Sequence, residues 1–362
     1  MPQKFAFTTA AMSAALEETS VSYEDLADIE KEFDDVETEI IRQQIALTKP
    51  LYERRSKTIS QIPNFWPLVL EQAPPDIDQY IQPSDSALLL SSLLSISVSH
   101  FEVESDTPGG DPRSVSVTWE FAPNDYFHDE KLEKKFWYRR ARDGWCGLVS
   151  EPVEIRWKEG RDLTGGLLGL VCKAWEAEKK TGSLDGDSKS TGKAKKEGLT
   201  AEQKVLKRKI ENTGMGGLSF FAWFGFIGRK VSEEESQEAT RLEKEKREKR
   251  KASKSTSEAP SNAEEDQDQD EEDEDEDDEE DIDMSLEIFP DGDDLAVALT
   301  EDLWPGAIKY FTQAQEQDAL SDADFESDDE EEEGGDANAA EGSADDSEGE
   351  NEDRPKKKQR SS

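Results

Sequence analysis

The sequence predicts an α+β fold: a long N-terminal helix joined to a globular domain with a four-stranded antiparallel sheet covered by helices, followed by a disordered acidic tail. Three observations support this prediction. Apolar residues follow a heptad pattern over residues 22–61, strand-like segments follow one another between residues 94 and 157, and acidic tracts interrupt and follow the apolar part of the chain. Loops rather than helices separate the strand-like segments, which favours an antiparallel meander over βαβ units.

The first element is a helix over residues 22–61, with Ser22 as N-cap and Asp25 in the capping-box position. Its apolar residues recur at spacings of 3, 4, 3, 4 and 7, as in a helix that packs along another helix. We call them the apolar stripe: Leu26, Ile29, Phe33, Val36, Ile40 and Leu47. Pro50 predicts a kink or the end of a first helical segment.

The apolar stripe has two interpretations. The helix could pack on its own domain, or it could pack on a second copy of the chain in a homodimer. A helix of this length would measure about 60 Å, and little else in the chain could cover it. The pattern therefore favours the homodimer.

Strand-like alternation is clearest at residues 113–121, where Val115, Val117, Trp119 and Phe121 share one face. The predicted strands are 94–105, 113–121, Phe136–Tyr138 and Val153–Trp157, with a loop at 139–151 between the last two. The apolar face of such a sheet needs helices to cover it.

Acidic residues are abundant and unevenly placed: 87 Asp and Glu face 44 Lys and Arg, for a net charge of −43. Residues 264–281 hold 16 acids and no base, and residues 322–353 hold 17 acids and no base. These tracts cannot bury apolar surface, so we expect them to be disordered. Their charge favours a strongly basic protein as partner, with histones as abundant candidates, and disfavours direct nucleic-acid binding.

Residues that could support catalysis or metal binding are sparse. Cys146 and Cys172 fit no disulfide or metal spacing, and the histidines His100 and His128 have no ligand partners at metal-site spacing. The sequence therefore predicts a non-enzymatic protein with no metal and no cofactor. No segment approaches the ~20 apolar residues of a membrane span, and the N-terminus does not favour a signal peptide.

Several segments together resemble the nucleosome assembly protein family, in its SET-like branch. The similar segments are KPLYERRSKTISQIPNFW (49–66), NDYFHDEKLEKKF (124–136), EIRWKEGRDLT (154–164), SFFAWF (219–224) and DDLAVALTEDLWPGAIKYF (293–311). The resemblance implies a homodimer joined by the long helices, with an "earmuff" domain at each end. It also implies a histone chaperone that binds core histones under the earmuff.

In that family the histone surface lies around S-F-F-x-W-F and the acidic pair before the last helix. The resemblance places Ala222, Gly225, Asp293 and Asp294 there, although Asp293 and Asp294 could also cap a helix. The acidic tracts contribute further candidate histone-binding residues: Asp273, Glu274, Asp275, Glu276, Glu330, Glu331 and Glu332. Family members also act as regulatory subunits, so a phosphatase inhibitor or a histone acetyltransferase cofactor is the alternative.

The predicted organisation begins with a disordered segment at 1–21 and the dimerisation helix at 22–61. The earmuff domain covers 62–312 with flexible insertions at 165–216 and 228–283, and the acidic tail covers 313–362. Two basic runs, 247–254 and 354–360, are similar to nuclear import signals. The second is favoured, through Arg354, Lys356, Lys357, Lys358 and Arg360. We therefore expect a nuclear protein, which could shuttle to the cytoplasm.

Overall fold

The computed structural model describes residues 22–104, 110–181, 199–213, 217–256 and 285–317. Both acidic tracts and the C-terminal basic run lie outside these ranges. So do the candidate residues Asp273, Glu274, Asp275, Glu276, Glu330, Glu331, Glu332, Arg354, Lys356, Lys357, Lys358 and Arg360. Within the described ranges, no helix has the length and apolar character needed to cross a membrane.

Helix α1 spans Tyr23–Ile59 and is one continuous element. The predicted capping box is confirmed: the Asp25 N–H donates to Ser22 Oγ at 3.2 Å, and the Ser22 N–H donates to Asp25 Oδ2 at 3.1 Å. Pro50 lies inside the helix and does not end it. With its 37 residues, α1 is about 55 Å long.

The sheet has four antiparallel strands in the order β1-β2-β3-β4, which confirms the predicted meander. The strands are β1 (Leu93–Ser99), β2 (Val115–Phe121), β3 (Lys131–Arg140) and β4 (Cys146–Ser150). The first strand stops short of the predicted end at residue 105, since residues Phe101–Glu104 form a short helix. The predicted strand Phe136–Tyr138 is the middle of the longer β3.

The fourth strand lies elsewhere than predicted. β4 falls within residues 139–151, for which the sequence predicts a loop. Gly144 adopts a φ of +95°, and the Ala141 N–H donates to the Trp145 carbonyl at 2.9 Å. This tight turn sends the chain straight back along β3.

Residues Val153–Trp157, predicted as the fourth strand, form no strand and make only a single bridge from Trp157 to Phe127. Pro152 precedes them and has no N–H to offer a strand ladder. The Val153 N–H donates instead to the Phe224 carbonyl at 2.8 Å. The segment therefore pairs with the 3₁₀ helix Phe220–Gly225, here called the aromatic turn, rather than with the sheet.

Helices cover the apolar face of the sheet, as predicted. On β2, Val115, Val117, Trp119 and Phe121 are each at most 5% exposed. The other helices are α2 (Phe65–Glu71), α3 (Pro75–Asp78), α4 (Pro83–Ser92), α5 (Phe101–Glu104), α6 (Leu167–Thr181), α7 (Ala201–Thr213), α8 (Glu233–Thr256), α9 (Gly292–Val297) and α10 (residues 307–317), with a 3₁₀ helix at Phe220–Gly225 and a π turn at Ala298–Leu303.

The 3₁₀ helix Phe220–Gly225 packs its aromatic rings directly on the sheet. The Phe220 ring lies 5.2 Å from Trp119, and the Trp223 ring lies 5.4 Å from Phe136. Trp223 Nε1 donates to the Gly292 carbonyl at 2.8 Å. The aromatic turn thus fixes the start of α9 relative to the sheet.

Part of each predicted insertion is helical. Helix α6 begins inside 165–216 and buries Leu167, Leu168 and Val171 in the core, and α7 follows in the same insertion. Helix α8 lies inside 228–283. Residues 313–317, which the prediction assigns to the acidic tail, continue α10, and Ala314 is buried there.

Two ionisable side chains, the buried Lys134 and the partly buried Glu287, hold the aromatic turn in place. The fully buried Lys134 Nζ donates to the carbonyls of Glu151 at 2.7 Å, Phe224 at 3.1 Å and Phe226 at 2.6 Å. Burial lowers the pKa of Lys134 to about 7, although the Glu287 carboxylate opposes this change. Burial raises the pKa of Glu287, which accepts hydrogen bonds from three backbone N–H groups nearby.

Candidate partner-binding surfaces

The apolar stripe of α1 is exposed along its whole length. The exposed fractions of its six side chains run from 44% at Leu26 to 74% at Leu47. Leu51 and Ile62 are also exposed and continue the apolar surface beyond the stripe. Large contiguous apolar surfaces of this kind mark interaction sites. The stripe is therefore available for the predicted homodimer contact.

A charged face lies on the far side of α1 from the stripe. Its residues, Asp28, Asp35, Arg42 and Lys49, recur every seven positions. Each contacts the body of the same chain: Asp28 and Asp35 pair with α8, Arg42 donates to the Gly110 carbonyl, and Lys49 lies 3.8 Å from Glu104. A surface helix normally turns its apolar side toward the domain. Helix α1 does the opposite, because its charged face contacts the domain and its apolar stripe is exposed.

Arg55 joins α1 to the C-terminal part of the domain. Its guanidinium lies over the rings of Tyr52 at 4.7 Å and Trp304 at 4.5 Å. Arg55 Nη1 also donates to the Trp304 carbonyl at 2.6 Å. Burial lowers the pKa of Arg55, and the aromatic faces stabilise the cation.

Helix α8 runs from β3 to α1. Near its start, the Arg140 N–H donates to Ser236 Oγ at 3.0 Å, and Arg140 Nη1 lies 3.0 Å from Glu243. At its other end three cations pair with acids of α1: Arg247 with Asp35 at 3.0 Å, Arg250 with Asp28 at 2.8 Å and Lys251 with Glu32 at 2.6 Å. These cations belong to the predicted import run 247–254, so that run is engaged within the fold.

An acidic cluster surrounds Tyr80 between α3 and the start of α9. We define it as Asp76, Asp291, Asp293 and Asp294. The Tyr80 hydroxyl donates to Asp291 Oδ2 at 3.2 Å. Burial, followed by the charges of Asp291, Asp294 and Asp76, raises the pKa of Tyr80 to about 12. No lysine or arginine of the described residues lies within ion-pair distance of the cluster.

Asp293 and Asp294 lie in the first turn of α9, and Asp291 is the N-cap, without a side-chain capping bond. Burial raises the pKa of Asp293, and the neighbouring Asp294 and Asp291 raise it further. Asp291 and Asp76 are absent from the sequence-based site. The sequence could have identified Asp291, since it is two residues from Asp293. Asp76 is distant in the sequence, and only the fold brings it to the acidic cluster.

The prediction that Ala222 and Gly225 contact a histone needs correction. Ala222 is fully buried, and so is Gly225. A Cβ at Gly225 would lie 2.7 Å from Ile288 Cδ1, so close packing excludes a larger side chain there. Both residues belong to the core that positions α9, and they present no surface to a partner.

The described residues contain no group of three or more His, Cys, Asp and Glu side chains placed to hold a metal ion. His100 is partly buried, with Nδ1 2.8 Å from the Pro112 carbonyl, and this burial lowers its pKa. An open cleft of about 510 Å³ lies between α1, α8 and β3. Its lining mixes acids and bases, most of which pair with one another.

Comparison with known proteins gives a consistent result. A sequence model of the nucleosome assembly protein (NAP) family matches residues 17–314. A putative nucleosome assembly protein of Schizosaccharomyces pombe, C36B7.08c, is 38% identical over 40% of this chain and 61% of its own length. Protein SET of Drosophila melanogaster is 30% identical over 38% of this chain and 47% of its own length. Both matches therefore span less than two thirds of the relative.

Among solved structures, that of Vps75 is similar with a TM-score of 0.47 and 23% identity, over 81% of this chain and 98% of that one. The family match covers most of the chain, including α1, the sheet and α9. It confirms the resemblance that the sequence motifs indicate. The chain belongs to the nucleosome assembly protein family.

Proposed function

We propose that this protein is a histone chaperone that acts as a homodimer. It binds core histones through the acidic cluster and the acidic tracts, shields them from DNA, and promotes nucleosome assembly and disassembly. The observation that carries the proposal is the acidic cluster, whose four carboxylates have no ion-pair partner among the described residues. The family and the names of its members agree with this function.

Electrostatics explains why a basic protein suits the acidic cluster. Carboxylates of like charge that are partly removed from water gain stability when a cation approaches. A bound lysine or arginine would therefore supply the missing counter-charge. Charge complementarity mainly accelerates association and weakens with salt. DNA, with its dense line of phosphates, can then compete for the histone.

The reversed orientation of α1 supports the homodimer. Its charged face is occupied by the same chain, and its apolar stripe is exposed over most of the helix. A second copy offers an identical stripe, which is the self-complementary arrangement of a two-fold dimer. Pairing two stripes would remove both from water without disturbing the charged contacts.

The histone proposal predicts that neutralising the acidic cluster weakens histone binding. We expect Asp76→Asn, Asp291→Asn and Asp294→Asn together to reduce affinity for core histone pairs about tenfold at physiological salt. The salt dependence should also become shallower, since fewer charge pairs form. Asp293 stays unchanged because backbone N–H groups stabilise its carboxylate. Fluorescence titration with each kind of core histone heterodimer at two salt concentrations measures both effects.

A matched control removes the same charge elsewhere. Glu53, Glu159 and Glu211 are exposed, lie outside the acidic cluster and make no ion pair with described residues. Their replacement by Gln should reduce affinity only slightly. Equal losses in the two triple variants would contradict a specific role for the cluster. Absence of nucleosome assembly by the intact protein in a plasmid supercoiling assay would contradict the function itself.

A further inference from the structure

The distal part of α8 is held on α1 by charge. We call residues 244–256 the distal arm. Within it, residues 244–252 have no buried side chain. The contacts that join it to α1 include the ion pairs of Arg247, Arg250 and Lys251. These pairs lie at the surface and are partly exposed; surface ion pairs are individually weak and are screened by salt.

The proximal part of α8 is attached differently. Ala239 is buried, Ser236 accepts the Arg140 N–H, and Glu243 pairs with the Arg140 guanidinium. These contacts fasten the beginning of α8 to β3. Between that point and the ion pairs, the cleft of about 510 Å³ separates α8 from α1. The distal arm can therefore leave α1 without disturbing the apolar core.

The surface under the distal arm is strongly acidic. From Glu24 to Glu39 the helix carries nine acids and one base, Lys31. Three of these acids, Asp28, Glu32 and Asp35, pair with the arm. Bonding to Lys251 lowers the pKa of Glu32. The chain thus shows that a helix rich in lysine and arginine fits this face of α1.

We propose that the distal arm is an intramolecular competitor that a basic segment of a partner displaces. While the arm is bound, it neutralises Asp28, Glu32 and Asp35. When a lysine- and arginine-rich segment takes over these carboxylates, the arm is released. This inference rests on the proposed function, since it assigns α1 a second contact for the histone.

The test uses two variants of the full chain that lose the same charge from the same helix. The first carries Arg247→Gln, Arg250→Gln and Lys251→Gln, which removes the pairs to α1. The second carries changes at Lys244, Lys246 and Lys249, each to Gln. These three lysines are exposed and form no ion pair with described residues.

The first probe is a fluorescent synthetic peptide with the sequence of the arm, KEKREKRKASKST (residues 244–256). We expect it to bind the first variant about tenfold more tightly than the intact chain, or by about 1.4 kcal/mol. The second variant should bind it about as the intact chain does. Adding Asp28→Asn, Glu32→Gln and Asp35→Asn to the first variant should abolish the gain.

Equal affinity of the peptide for both variants would overturn the proposal, because a general change in net charge would then explain the result. So would a gain that survives neutralisation of the three α1 acids. Core histone pairs are the second probe and separate the two hypotheses. If the peptide binds the first variant more tightly than the second but no histone binds any form, the proposed function is contradicted and the competitor role of the arm is supported. If histones bind all forms equally and the peptide binds both variants with equal affinity, the competitor role of the arm is contradicted and the proposed function is supported.

Discussion

The proposed homodimer is expected to dissociate into folded monomers when Phe33 and Ile40 are replaced by Asp. Both side chains lie in the apolar stripe, at 66% and 56% exposure. In a dimer that pairs two stripes, the four introduced carboxylates would be buried together without cations. Each such burial costs several kcal/mol, so we expect the dimer dissociation constant to rise at least about a thousandfold.

The monomer should remain folded because, among the described residues, the buried apolar side chains of α1 are only Ile45 and Ile59, and neither belongs to the stripe. Light scattering coupled to size-exclusion chromatography gives the mass, and far-UV circular dichroism checks the fold. Ala27→Asp with Ala46→Asp is the control: both alanines are exposed and lie off the stripe on the same helix. That control should stay dimeric. A Phe33/Ile40 variant that still has the mass of a dimer would refute the stripe as the interface.

Replacing Lys134 by Met should destabilise the folded domain by about 3 kcal/mol near neutral pH. Met fills a similar volume but cannot donate a hydrogen bond. The carbonyls of Glu151, Phe224 and Phe226 would each lose the Lys134 ammonium as a donor, and the Phe224 carbonyl would keep the Val153 N–H. Chemical denaturation measures the loss as a change in the free energy of unfolding.

The pH dependence of that loss gives a second readout. Folded Lys134 has a pKa of about 7, and the ordinary value is 10.5. Between these values the unfolded chain binds a proton at this side chain that the folded chain has released. The unfolded state then binds more protons, so this group makes stability rise with pH between about 7 and about 10. The Met variant should lack this rise.

The neighbouring Lys135 provides the control. Its side chain is 44% exposed and lies 3.7 Å from Glu133 on the surface. Lys135→Met should change the free energy of unfolding by less than about 0.5 kcal/mol at any of these pH values. Equal stability and equal pH dependence of the two Met variants would contradict the importance of the buried ammonium.

Local patterns predict local elements well in this chain. The capping box of α1 and the alternation on β2 depend on neighbours within a few residues, and both are present as predicted. The prediction of the fourth strand is wrong because the position of that strand depends on residues far away in the sequence. Whether Val153–Trp157 joins the sheet depends on the carbonyl of Phe224, a residue about 70 positions away.

The candidate site shows the same division. Asp293 and Asp294 follow from a local motif, whereas Asp76 reaches the acidic cluster only because α3 and α9 meet in the fold. The motif around Ala222 and Gly225 identifies the family segment, but it carries no information on which residues face outward. Their burial follows from the packing of the aromatic turn between the sheet and α9.

Among the described residues, α1 contributes only Ile45 and Ile59 to the buried apolar side chains, so in the proposed homodimer pairing through the stripe and folding of the domain are separate equilibria. Subunits could therefore exchange between dimers without passing through an unfolded state. Two chains with different domains but matching stripes could form mixed dimers by the same route. A cell holding several related copies would then contain a set of pairings governed by relative concentration rather than by order of synthesis.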